Sequence, residues 1–164
     1  MYFLSGGQVV KIQHVKINNR RKAFSVKVRG REYWYPYALL EYIPDPDDRI
    51  NRVFVDPEIG CEGFCVVMDS GNVQTVHMEQ VLEYNRDPGF LRDQVLYSLT
   101  LEAGKRLEKC ALSRREIIRR LGTSAAQFYR LIDHANYRKS IDQMLRLLSI
   151  LDCDVNIRVT SRTA

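Results

Sequence analysis

The chain has 164 residues and a mass of 19.1 kDa, with 45% apolar and 27% charged residues. That suits one domain or two small ones and excludes a disordered polymer or a repeat array. No apolar run approaches the roughly 18 residues of a membrane span. The start, Met1-Tyr2-Phe3-Leu4-Ser5-Gly6-Gly7, has neither the basic head nor the long apolar core of a signal peptide. A cytoplasmic protein with no membrane partner is expected. The net charge of +5 is unevenly spread. Residues 1–31 hold eight basic residues and no acid, residues 32–88 three basic and twelve acidic, and residues 89–164 fourteen basic and eight acidic. The basic zones favour a polyanion, and the acidic middle would suit a basic protein partner.

The first part, residues 1–87, reads as a small antiparallel β-rich domain. Val9 to Ile17 and Phe24 to Val28 are apolar and β-branched, and Phe24-Ser25-Val26-Lys27-Val28 alternates as a half-buried strand does. Asn18-Asn19-Arg20-Arg21-Lys22 between them suits a hairpin loop. Glu32-Tyr33-Trp34-Tyr35-Pro36-Tyr37 reads as an aromatic strand, with a short helix at Tyr37–Tyr42. Pro44-Asp45-Pro46-Asp47-Asp48 is a loop by composition. Arg52–Val55 is a short strand. Gly63–Met68 and Val73–His77 form a second hairpin around Asp69-Ser70-Gly71-Asn72, followed by one or two helical turns at Met78–Tyr84.

The second part, residues 88–164, reads as α. Pro88 suits a first helical position, and Leu91, Val95, Leu99, Ala103, Leu107 and Cys110 follow at helical spacing. Ser113-Arg114-Arg115-Glu116 is a predicted capping box, and Gly122 ends that helix as a left-handed C-terminal residue. A further helix covers about Ser124 to Asp133. Ser140-Ile141-Asp142-Gln143 is a second box, opening the helix of Met144, Leu145, Leu148 and Leu151. Val155–Val159 alternates as a terminal strand, which must pair with the β part or with a second subunit. The fold class is therefore α+β: an antiparallel β part, then four to five helices and a short strand.

The segment Leu112-Ser113-Arg114-Arg115-Glu116-Ile117-Ile118-Arg119-Arg120-Leu121-Gly122-Thr123-Ser124-Ala125-Ala126-Gln127-Phe128-Tyr129-Arg130-Leu131 resembles the helix-turn-helix of the Cro/C1-type (XRE) regulators. The resemblance covers about residues 95–159 and is greatest to antitoxin-like and compact repressor members. It implies a DNA-binding transcriptional regulator, a homodimer on double-stranded DNA, and a basic protein partner such as a toxin. By position it implies base-facing roles for Ala125, Ala126, Gln127 and Arg130. It implies phosphate contacts from Ser124, Arg114, Arg115, Tyr137, Arg138 and Lys139. Chemistry agrees in part. Arg holds guanine and Gln holds adenine bidentately, whereas the two alanines offer only methyls to thymine. Helix N-termini attract phosphate. Arg119 and Arg120 near their helix end also serve the helix dipole.

Enzyme chemistry is not expected. There is no phosphate-binding glycine loop, no His-Glu-x-x-His and no nucleophile elbow, and no cofactor motif is present. His14, His77 and His134 are scattered, and Asp45, Asp47 and Asp48 lack the closing Glu of a calcium loop. Cys61, Cys65, Cys110 and Cys153 read as free thiols, since Cys61, Cys65 and His77 find no fourth zinc ligand. Two alternatives stand beside the regulator. One is a protein-interaction module with a degenerate helix-turn-helix. The other is RNA binding through the basic hairpin (Lys16, Arg20, Arg21, Lys22, Lys27) and the aromatics Tyr33, Trp34, Tyr35 and Tyr37.

Overall fold

A computed structural model describes residues 9–161, so the reading of the first seven residues as no leader lies outside the described residues. The described residues divide into two compact units, one ending at Leu91 and the other starting at Arg92. The fold is α+β, with strands first and helices after.

The first unit holds six strands in two three-stranded antiparallel sheets. β1 (His14–Asn18), β2 (Ala23–Val28) and β3 (Arg31–Pro36) form one, in that order, followed by a 3-10 turn at Tyr37–Leu39. β4 (Ile50–Val55), β5 (Gly63–Met68) and β6 (Val73–His77) form the other, followed by α1 (Met78–Tyr84). The same plan is thus built twice. Phe24 of β2 and Phe64 of β5 hold equivalent places, both wholly buried, with ring centroids 5.1 Å apart. Each plan ends in the same tripeptide, Leu40-Glu41-Tyr42 and Leu82-Glu83-Tyr84. The core gathers Val26, Val28, Tyr35, Val66, Met68, Val76 and Val81 around the two phenylalanines.

Two side-chain amides tie the halves together reciprocally. Gln74 of β6 accepts from the amides of Glu41 (2.8 Å) and Tyr42 (3.2 Å) and donates to the Tyr42 carbonyl (2.8 Å). Asn85, after α1, donates to the Trp34 carbonyl at 2.9 Å and accepts from its amide at 3.5 Å. Asn85 occupies the Trp34 backbone as a ladder neighbour would, so β3 is not a bare edge at that residue, while Gln74 fixes the Glu41–Tyr42 segment to β6.

The second unit is helical. α2 (Pro88–Lys109) begins in the first unit with Pro88 at its first position; Asp87 caps it by accepting from the Phe90 amide at 3.0 Å. α3 (Arg114–Leu121), α4 (Ala125–Ile132) and α5 (Ile141–Ile150) follow. Leu96, Ala103, Leu107, Ile117, Leu121, Phe128, Leu131, Met144, Leu147 and Leu148 form its core. The inward stripe of α2 runs through Leu96, Thr100, Ala103 and Leu107, not through the expected Leu91 and Val95, which are exposed. Thr100 is accommodated there because its hydroxyl donates to the Leu96 carbonyl at 2.6 Å. No described helix is long and apolar enough to cross a membrane.

The expected terminal strand does not pair with the β part of its own chain among the described residues. Residues 155–159 join no ladder, and Ile157 and Val159 are 81% and 91% exposed. Alternation alone does not make a strand; backbone partners are required. The expected helix at Tyr37–Tyr42 is also shorter, a 3-10 turn at Tyr37–Leu39, because Gln74 takes the amides that a continuing helix would need.

Candidate nucleic-acid interface

The α3–α4 turn is fixed by local chemistry. Ser113 caps α3, its hydroxyl accepting from the Glu116 amide at 3.2 Å. The expected return arm of that box is absent. Glu116 instead turns along its own helix, accepting from Arg119 at 2.6 and 2.8 Å and from Arg120 at 2.9 Å. These guanidinium groups hold its carboxyl down to about 2. The two arginines are therefore spent on an ion pair. Gly122 then takes φ +66°, a left-handed conformation that sends the chain sharply into α4.

Ser124 opens α4. Its hydroxyl accepts from the Gln127 amide at 3.2 Å, while the Gln127 side-chain oxygen accepts from the Ser124 amide and the Thr123 hydroxyl. This is one of two Ser-to-Gln capping boxes, the other joining Ser140 and Gln143. The spacing Ser124-x-x-Gln127 signals it in the sequence. Phe128 and Leu131 turn inward; Ala125, Ala126, Gln127, Tyr129 and Arg130 all stay exposed. Tyr129, 56% exposed with its ring 5.4 Å from that of Phe128, is an aromatic on this face that the sequence reading passed over. Gln127 cannot grip adenine bidentately while its oxygen is held in the cap; its amide nitrogen remains as a donor.

Comparison with family models, curated proteins and solved structures finds no match to this chain.

The predicted phosphate contacts separate. Arg114 and Arg115 occupy the first two positions of α3, exposed, and among the described residues their guanidinium groups are in no ion pair. Ser124 is exposed at the start of α4. The loop from Asp133 to Lys139 is shaped by Asn136, whose amide donates to the Arg130 carbonyl at 2.9 Å and whose oxygen accepts from the Arg138 amide at 3.1 Å. Arg138 is exposed on it, and Tyr137 is half-buried. Lys139 does not stand with them. It is 7% exposed, and its ammonium donates to the carbonyls of Leu131 (2.9 Å) and Asp133 (2.7 Å). Burial pushes its pKa down to about 8, against the opposing pull of Asp133. Lys139 closes the C-terminus of α4, whose last carbonyls have no helical partner.

A cleft of about 860 Å³ opens between α4, this loop and α5. Arg130, Arg138 and Arg146 line it, with Thr123, Gln127 and Gln143. Arg146 was not singled out in the sequence, because only the packing of α5 brings it to this wall.

The basic and aromatic β part keeps little of a stacking platform. Tyr35 and Tyr37 are buried, and Tyr33 is half-buried with its hydroxyl donating to Asp87 at 2.9 Å. Burial raises all three phenol pKa values. Trp34 is half-buried, on the other face from Tyr33 and Tyr35, with the Arg21 guanidinium 4.4 Å above its ring. Several acids of the middle zone shape loops. Asp45 accepts from the amides of Asp47 and Asp48, and Asp48 accepts from the Ser70 amide and hydroxyl, all at 2.8–2.9 Å.

Proposed function

We propose that the chain is a transcriptional regulator that binds double-stranded DNA through α4, acting in the cytoplasm as a homodimer. The observation that carries this is the outward face of α4: a capped N-terminus leading to Arg130, beside Arg138, with Arg114 and Arg115 exposed at the start of the preceding helix, and none of these guanidinium groups in an ion pair among the described residues. A helix-turn-helix protein sets its second helix into the major groove by the N-terminal end. Arg130 is then the base reader, holding guanine O6 and N7. Ala125 and Ala126 offer methyls to thymine. Ser124, Arg114, Arg115 and Arg138 hold phosphates and set the register. Lys139 serves the interface by fixing the end of α4 rather than by touching DNA. Two-fold pairing would match half-sites ~34 Å apart. The acidic middle zone supports a basic protein partner, the antitoxin-like element of the reading, through whichever carboxylates are not bound into turns.

The test is competition. A labelled duplex should be displaced by unlabelled duplex and much less by single strands of the same sequence, and its affinity should fall steeply with salt. Preference for single strands would transfer the function to the β part. No binding to either would leave an interaction module.

A further inference from the structure

We infer that the cleft between α4 and α5 is a phosphate-binding site and that Arg146 is one of its determinants. Guanidinium groups normally seek carboxylates, and three in this unit find them: Arg92 is bonded to Asp93 at 2.6 Å, and Arg119 and Arg120 to Glu116. Arg114 and Arg115 are in no ion pair among the described residues either, but they are neighbours on one helix turn, whereas the cleft gathers its arginines from different elements. Arg130 from α4, Arg138 from the loop and Arg146 from α5 line one concavity, and none of their guanidinium groups is ion-paired among the described residues. Three separate elements supply them, so the grouping is a product of packing and not of a charge run along one helix.

One acid, Asp133, shares the lining; one of its oxygens accepts the Ala135 amide at 2.9 Å, and its single negative charge stands against three guanidinium groups. Lys139 lies beneath with its ammonium on two carbonyls, adding positive charge. The glutamine carbonyls that could repel an anion are turned away by the capping boxes. Gln127 and Gln143 each give their oxygen to a helix N-terminus and keep an NH2 donor. Fork-shaped donors around a concavity fit a tetrahedral oxyanion, which accepts bidentate bonds from Arg. A volume of about 860 Å³ admits more than one phosphoryl group.

The phosphate has two sources with the same chemistry. One is the DNA backbone, held by Arg138 and Arg146 while Arg130 reads the base, and that assignment rests on the proposed function. The other is a free phosphorylated small molecule, which would occupy the wall beside Arg130 and compete with DNA. The site itself stands on the cleft alone.

The experiment uses the full chain and two probes, inorganic pyrophosphate by calorimetry at low salt and a 20-base-pair duplex by fluorescence anisotropy. Arg146→Gln removes the charge; Arg146→Lys keeps the charge but not the fork; Arg106→Gln, on the exposed face of α2 outside the cleft, is the control. Arg146 is exposed, and thermal melts should show all three variants folded. Arg146→Gln is expected to weaken phosphate binding at least tenfold, Arg146→Lys less, and Arg106→Gln less than twofold. Loss on the duplex, with or without pyrophosphate, assigns the site to DNA backbone. Loss on pyrophosphate alone assigns it to a free phosphorylated ligand. Arg146-dependent pyrophosphate binding by a protein that ignores duplex would sink the DNA reading and keep the site. Unchanged binding of both probes in Arg146→Gln, or no binding of either by the wild type, overturns the inference.

Discussion

Ser124 and Gln127 hold each other at the entrance of α4, hydroxyl to amide at 3.2 Å and side-chain oxygen back to the Ser124 amide. The pair sets the direction of the helix that carries Arg130, and it removes half of the Gln127 amide from base recognition. Ser124→Ala should destabilise the fold by about 1 kcal/mol, the usual worth of such a cap. Chemical denaturation would measure it. A loss near zero would mean that the cap is not formed in solution.

Lys139 contributes differently. Its ammonium satisfies two carbonyls at the end of α4 from a buried position. Lys139→Met should cost about 2 kcal/mol by orphaning them. The pH dependence has a definite sign. The folded pKa, about 8, lies below the ordinary 10.5, so the unfolded chain binds the extra proton between these values. Wild-type stability relative to Lys139→Met should therefore rise from pH 8 to 10.5 and be level below 8. A level difference throughout would mean that the ammonium is solvated.

Two glycines make a contrasting pair. Gly122 has φ +66° with open space where a Cβ would stand. Gly122→Ala should therefore cost about 1 kcal/mol, from backbone strain alone. Gly63 lacks a positive φ, but a Cβ there would lie 2.8 Å from the Val76 carbonyl oxygen and 2.6 Å from Ile59 Cδ1. Gly63→Ala should be the worse variant, at about 3 kcal/mol, because a ladder carbonyl cannot move aside freely. Thermal melts of the two variants would rank them; the reverse order would contradict this account of β5.

The reciprocal amides Gln74 and Asn85 should each matter by about 2 kcal/mol, since removal orphans backbone groups at half-buried sites. Asn85→Ala should also raise the tendency to aggregate as the Trp34 edge of β3 is bared, and Gln74→Ala should not. Light scattering during a thermal ramp reads this. Unchanged scattering in Asn85→Ala would remove the edge-protection role.

The strands Gly63–Met68 and Val73–His77 and the helix Met78–Tyr84 were legible to the residue, because the Asp69–Asn72 turn sets the hairpin between two short runs. The α3–Gly122–α4 turn was equally plain, since caps and a left-handed glycine are local signals. Long-range facts were not. The stripe of α2 shifted to Leu96 and Thr100 because packing chose among several apolar faces. Val155–Val159 finds no ladder partner among the described residues of its own chain. Lys139 looked like another surface cation, and only the fold carries its ammonium to the end of α4. The doubled plan of the β unit was written in Leu40-Glu41-Tyr42 and Leu82-Glu83-Tyr84, but the unequal turns at Arg29-Gly30 and Asp69–Asn72 put the halves out of step.

The most direct test of the regulator reading is the affinity for duplex from the upstream region of the chain's own gene against random duplex, at two salt concentrations, with Arg130→Ala alongside. The account predicts tighter binding to the upstream duplex and a loss in Arg130→Ala of about tenfold or more, the worth of one bidentate guanine contact. Equal affinity for the two duplexes, unchanged in Arg130→Ala, would contradict sequence reading by α4.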